Sequence, residues 1–241
     1  MNQILVNEKV YVTPKLRRKK RFYKIQFVLS ILVVIVLTSY YVYSEYEKRK
    51  GESISQDILN DFSSITVDNT VADDDTLVIA LNENAEEIPQ NNQPQILDQF
   101  NTVYKTSSGT EYKVDSILNI PSLEINYPVL SDSSTELLKI SLNKFWGGEP
   151  NSVGNYCVVG HNYDGKDIFF GKLHKLQNGD VVELQDKTGK LVRYKVYNKF
   201  VVQPTDVACT SQLTNGKVEM TLITCSDGGK TRLVVKCRAV E

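Results

Sequence analysis

Val218-Glu219-Met220-Thr221-Leu222-Ile223-Thr224-Cys225-Ser226-Asp227-Gly228-Gly229 is the stretch on which the fold turns. Up to Thr224 it is rich in the residue types that suit a pleated strand. The strand pattern stops at Cys225, and Ser226-Asp227-Gly228-Gly229 is turn chemistry. A second strand pattern comes at once, Thr231-Arg232-Leu233-Val234-Val235-Lys236-Cys237. Pairing the two as a hairpin over 226–231 sets Cys225 opposite Arg232. Directly opposed residues share one face, with Cβ atoms about 4.5–5.5 Å apart. A cation beside a thiol favours the thiolate, the reactive form, and an arginine can donate hydrogen bonds to a developing oxyanion. The same residues also describe a half-buried strand cysteine next to a surface arginine.

Outward from this hairpin, the 241 residues suit one moderate domain with extensions. The net charge of −1 hides a strong asymmetry. Residues 1–24 hold eight Lys or Arg and one acid, Glu8, whereas residues 51–100 hold eleven Asp or Glu and no Lys or Arg. The basic end could suit nucleic acid, but the apolar stretch after it argues for a membrane. Ile25 to Tyr43 reads IQFVLSILVVIVLTSYYVY, without a charge. As a helix it spans about 28 Å, close to the bilayer core. Tyr40, Tyr41 and Tyr43 sit where interfacial aromatics belong, and the basic cluster Lys15–Arg21 precedes the span. The positive-inside bias therefore leaves residues 1–24 as a cytoplasmic tail and puts the rest outside. No A-x-A site comes after the apolar run, which favours an uncleaved anchor over a signal peptide.

Residues 44–108 read as an extracellular stalk, acidic and rich in Asn and Gln. A short helix is expected at Ile54–Leu59, and Thr76–Leu81 is an apolar island without an assigned place. From residue 109 short strands and turns take over. Candidates are Glu111–Val114, Ser116–Ile120, Ile125–Val129, Asn155–Val159, Val181–Leu184, Leu191–Val202, Val218–Thr224 and Arg232–Ala239. Thr188-Gly189 is a hairpin signal, and Ser134–Leu142 is expected to be a short helix. Eight or so short strands without a long helical period indicate an all-β sandwich or barrel.

The four cysteines, 157, 209, 225 and 237, form no C-x-x-C motif, and two histidines cannot make zinc-finger spacing. Cys157 and Cys237 lie within apolar strand patterns and read as core, and Cys209 as incidental. Asp180, Glu183 and Asp206 do not cluster, so neither a metal nor a cofactor is assigned. Asn155-Tyr156-Cys157-Val158-Val159-Gly160-His161 is a strand running into Gly-His, which leaves His161 at a strand end, as Cys225 is. His174, flanked by lysines, reads as surface. A Cys and a His distant in sequence are what thiol catalysis needs, one to attack and one to protonate the leaving amine.

Thr221-Leu222-Ile223-Thr224-Cys225 with Arg232 after it resembles the T-L-x-T-C…R signature of sortases. Gly160-His161 after an apolar strand is similar to that family's histidine motif, and Ile120-Pro121-Ser122-Leu123-Glu124-Ile125 to its first strands. The likeness covers about residues 109–241. It implies an eight-stranded β-barrel with short helices, tethered outside the membrane of a Gram-positive cell. It also implies a transpeptidase in which Cys225 attacks an L-P-x-T-G-like sorting signal of a secreted surface protein. His161 would serve the leaving amine and the incoming cell-wall amine, and Arg232 the substrate or oxyanion. Arg238, thirteen positions beyond Cys225, is too far down the strand to oppose it. No Asp-Pro-aromatic lid, no second membrane segment and no long helix before the cysteine strand are read, so the likeness is to class A or D rather than B or C. Another Cys/His acyl-transfer enzyme, or a tethered β-module binding a wall component, are the competing readings. The S-H-G-C type signature of L,D-transpeptidases is absent.

Overall fold

Alternation within the strands sets the inner face. In β3 (Val114–Ile120) the residues Val114, Ser116, Leu118 and Ile120 are buried and those between are less so. In β7 (Val181–Asp186) the same holds for Val182, Leu184 and Asp186. Each fully buried leucine of this kind contributes about 1.5–3 kcal/mol. The computed structural model describes residues 14–66, 99–163 and 166–240, so the apolar island Thr76–Leu81 lies outside the described residues. With β4 (Ile125–Leu130), β5 (Leu142–Trp146), β6 (Gly154–Gly160), β8 (Leu191–Val202), β9 (Val218–Ser226) and β10 (Thr231–Ala239), these strands close a barrel in the order β10-β8-β7-β3-β4-β5-β6-β9. Leu118, Leu142, Val158, Phe170, Leu184, Met220 and Val235 fill its core. A separate two-stranded sheet pairs β1 (Tyr104–Lys105) with β2 (Glu111–Tyr112).

Seven of the barrel strands coincide with the sequence patterns. The eighth, β5, does not: where a helix is expected over Ser134–Leu142, only Leu137–Lys139 makes a turn of 3-10 helix, and Leu142 begins a strand. Leu142-Asn143-Lys144-Phe145-Trp146 lacks a period-2 pattern because a bulge between Lys144 and Trp146 shifts its register against β6. Tertiary pairing decides this strand, through Val129↔Leu142 and Leu130↔Asn143 on one side and Asn143↔Val159 on the other. The Lys187–Lys190 turn behaves as its sequence implies. Gly189 adopts φ 82°, and the Asp186 carboxylate accepts from the Thr188 and Lys190 amides.

Helix α1 (Pro14–Thr66) comes before the sheet residues, and the chain divides at Lys48/Arg49 into two units. In the first, the helix is long and apolar enough to cross a membrane, with a stretch of mean hydropathy 2.2 and none of it buried. That fits single-pass anchoring. In the second unit, the helical residues from Arg49 onward pack on the barrel. Ile58 and Phe62 join Phe100, Tyr112, Val114, Leu130, Leu137 and Ile140 in a second apolar cluster. Ser55 donates to Ser141 Oγ (2.8 Å), which in turn donates to the Pro128 carbonyl. Gly51 sits so close to the Lys139 backbone that a Cβ there would lie 1.8 Å from its carbonyl oxygen. The barrel unit's packing thus reaches well before residue 109.

Stability measurements check this packing. Gly51→Ala forces the helix off Lys139 and should lower the thermal midpoint, whereas Gly148→Ala, whose Cβ meets only Ser152 Oγ at 3.6 Å, should change stability by less than about 0.5 kcal/mol. A soluble chain beginning at residue 49 should melt clearly above one beginning at 109, which lacks Ile58, Phe62 and Phe100; equal midpoints would mean that the helix adds nothing.

Candidate active site

β9 lies between two neighbours. It pairs in parallel with β6, Gly160 facing Thr224, and antiparallel with β10, Cys225 facing Arg232. Three chain segments therefore end at one edge of the barrel. Thr224 Oγ1 donates to the Gly160 carbonyl (2.8 Å), tying the last residue of β6 to the residue before the thiol. His161 comes one step after Gly160, alongside the level of Cys225. Asn162 completes the tie, its Nδ2 donating to the Cys225 carbonyl at 2.9 Å.

Gly160 cannot be another residue without repacking. A Cβ would lie 2.5 Å from Leu142 Cδ2 and 2.8 Å from the Phe170 ring. The close approach lets β6 run to the rim and turn out there. The Phe170 amide donates to the His161 carbonyl (3.1 Å), and the imidazole leans on Tyr163 at 5.3 Å between centroids. Tyr163 in turn meets Phe169, and Phe169 meets Tyr127. Burial lowers the His161 pKa below its ordinary value, and the nearby charge of Lys139 lowers it further. Both effects favour the neutral imidazole, the form able to accept a proton.

After Cys225 the chain reverses through Asp227, Gly228 and Gly229, all at positive φ (49°, 60° and 91°). Glycine tolerates that region at little cost. Arg232 Nη1 donates to the carbonyls of Gly229 (2.9 Å) and Thr231 (3.0 Å), and among the described residues the guanidinium forms no ion pair. Arg238, opposite Glu219, is committed elsewhere. It donates to Glu219 from Nε and Nη2 (3.0 and 2.8 Å) and lies 4.5 Å over the Tyr197 ring. His174 is exposed on a 3-10 turn.

The other thiols are inert by their surroundings. Cys157 and Cys237 are buried, and burial pushes both up to about 12. Cys209 is half-buried and also raised, again chiefly by burial. The Cys209 carbonyl, however, accepts from Lys236 Nζ and Asn155 Nδ2. Together with Gln212, which exchanges hydrogen bonds with the Asn155 backbone, it fastens the 203–217 loop to β6. That loop walls a groove. Phe145, Val159, Val207 and Ile223 line it, and Arg232 stands in it. Asn155, Asn162, Gln212 and Lys139 escaped the sequence reading. Only Asn162, adjacent to His161, carried a local hint. Among the described residues no cluster of His, Cys, Asp or Glu could hold a metal ion.

With alkylating reagent at pH 7.5, mass spectrometry should find Cys225 modified first and Cys157 and Cys237 last; early labelling of Cys157 would contradict its burial. If His161 must accept a proton, turnover should fall as pH drops through its lowered pKa. Lys139→Gln removes a depressing charge and should move that acid limb to higher pH, while His161→Ala should abolish it with the activity.

The sortase domain family matches residues 118–240, from β3 to the end of β10. Sortase A of Bacillus anthracis is 31% identical over 108 residues, 45% of this chain and 50% of that protein. Sortase A of Listeria monocytogenes is 24% identical over 156 residues, 61% of this chain and 69% of that protein. The chain thus spans between half and two thirds or so of these relatives' lengths. A sortase D5 transpeptidase of Clostridium perfringens superposes with a TM-score of 0.52 at 19% identity, covering 63% of this chain and 91% of that one, a likeness of fold. With the matched region running through every barrel strand from the middle of β3 onward, the chain belongs to the sortase family, cysteine transpeptidases of surface-protein anchoring.

Proposed function

We propose that this chain is a membrane-anchored transpeptidase that joins secreted surface proteins to a cell-wall amine, using Cys225 as nucleophile, His161 as proton carrier and Arg232 as oxyanion donor. The observation that carries the reading is the double pairing of β9. Its register supports a thiol, an imidazole and a guanidinium at one rim, and the other cysteines and Arg238 are occupied. The substrate is an L-P-x-T-G-like sorting signal. An apolar groove ending at Arg232 suits its leucine and proline on the acyl side.

As the thiol sulfur bonds to the scissile carbonyl carbon, its proton passes to His161. Arg232 has further N–H groups beside the two contacts of Nη1, and these face the charge that develops on the carbonyl oxygen. Collapse breaks the C–N bond, and His161 returns the proton to the departing amine. The thioacyl group then receives the acceptor amine. His161 takes that amine's proton, the new amide forms, and the C–S bond breaks with the proton returned to sulfur. A lowered His161 pKa fits this cycle, because the proton is gained during attack and is not held at rest.

The basic cluster Lys15–Arg21 before the apolar stretch favours a cytoplasmic N-terminus and an extracellular barrel. Sequence relatives of sortase A type support a class A- or D-like enzyme.

The test is peptide cleavage and transfer to an amine acceptor. Cys225→Ala should remove both while keeping the thermal midpoint, whereas Cys157→Ala should cost stability, on the order of 1–3 kcal/mol, and leave the chemistry. Arg232→Lys keeps the charge but loses the planar fork. If directed hydrogen bonds matter, Lys and Ala should both lose about 100-fold or more in kcat. A Lys variant close to wild type would assign Arg232 a charge role only, and an active Ala variant would remove it from the mechanism.

A further inference from the structure

Beyond the groove beside Arg232 lies a second hollow at the far end of β5, lined by Ser131, Asp132, Phe145, Trp146, Gly147 and Gln212. Phe145 lines both, so groove and hollow adjoin at its ring. The β5 bulge at Lys144/Trp146 breaks the alternation and leaves Phe145 and Trp146 both outward, 48% and 60% exposed. Gly147 (φ 105°) leaves the strand where a Cβ would lie 2.3 Å from the Asn155 carbonyl oxygen. No side chain at that position can fill the hollow.

Its lining carries one carboxylate, Asp132, and one ammonium, Lys144. Lys144, half-buried, is neutralised by Asp115 (3.4 Å) and lies over the Tyr156 ring. Asp132 is exposed, accepts from Ser131 Oγ (2.8 Å) and among the described residues forms no ion pair. Aromatic faces beside an unpaired carboxylate are the chemistry that holds a cation on an aliphatic stem. An apolar guest would strip water from Asp132 without compensation.

Register gives the reach. Trp146 pairs with Cys157, and Cys157 with Thr221, four residues before Cys225. At about 3.3 Å per residue and 4.8 Å per strand spacing, Trp146 lies on the order of 16 Å from Cys225, about five residues of extended peptide. We propose that this hollow is an upstream subsite that binds a lysine or arginine side chain of the sorting peptide, about five residues before the scissile bond. The inference rests on the transpeptidase reading for the direction of the peptide.

Trp146 is the single tryptophan of the chain, so its fluorescence reports occupancy without catalysis. The full chain carrying Cys225→Ala, in detergent micelles, is titrated with tryptophan-free peptides. One begins at the motif; the others extend upstream with Lys, Ala or Glu at the fifth to seventh positions before the scissile bond. The Lys peptide should change the emission and bind several-fold tighter than the Ala peptide, with Glu weakest and the truncated peptide silent. In the chain with Cys225 intact, Trp146→Ala or Asp132→Asn should lower kcat/KM for the Lys peptide by roughly 3- to 5-fold and leave the truncated peptide's rate unchanged. Equal binding of Lys, Ala and Glu peptides, or no emission change, overturns the subsite. If peptides are cleaved but upstream charge has no effect, the subsite fails and the transpeptidase stands. If the Lys peptide binds at Trp146 but no peptide is cleaved, the transpeptidase reading fails and the subsite stands.

Discussion

The parallel pairing of β6 with β9 is the constraint on which the rest depends. Parallel strands cannot be joined by a tight turn, so the chain between Gly160 and Thr224 makes a long excursion through β7 and β8 before the two can pair. Once paired, Gly160 and Thr224 stand side by side, each one residue before His161 and Cys225. The Thr224 and Asn162 side chains then lock the exits of both. A slip of one residue would turn the histidine or the cysteine to the other face. The hydrogen bonds at the rim resist that slip, as do the buried Met220 and Leu222 beneath it.

Around this pairing the barrel is rigid where chemistry needs it and loop-built where recognition needs it. The Asp227–Gly229 reversal is set by left-handed backbone, so the Cys225–Arg232 pair is positioned by strands and not by a loose turn. The groove, by contrast, takes one wall from the 203–217 segment, held by Asn155, Gln212 and Lys236 rather than by strand pairing. Side-chain bonds of this kind cost less to open than a sheet ladder, which leaves the groove adaptable without moving Cys225.

The helical residues after Lys48 tie into the same rim indirectly. Gly51 and Ser55 press on Lys139 and Ser141, and Lys139 is the charge that His161 feels. Leu142, the first residue of β5, is also the side chain against which Gly160 is packed. Loss of the helix therefore reaches the imidazole through a single short segment, 137–142.

Everything carried by local pattern was legible in the amino-acid sequence. The Ile25–Tyr43 stretch has the length and apolarity of a span, and seven barrel strands have their own periodicity. The opposition of Cys225 and Arg232 is a hairpin property, because the two strands are adjacent in the chain and the turn sets their register. The Gly-His motif was visible too, but not that it stands level with Cys225, since 64 residues separate Gly160 from its partner Thr224. In the same way β5 has too little pattern of its own and exists because β4 and β6 leave a gap that it closes. The docking of residues 51–62, written in a spacing of small and apolar side chains within an acidic segment, needed the barrel surface to give it meaning. Neighbours in sequence are placed by backbone preference; the levelling of His161 with the thiol, the depressed imidazole pKa and the adjoining hollows at Arg232 and Trp146 arise only when distant strands close the barrel, because burial and non-local register are properties of the closed sheet and of no single segment.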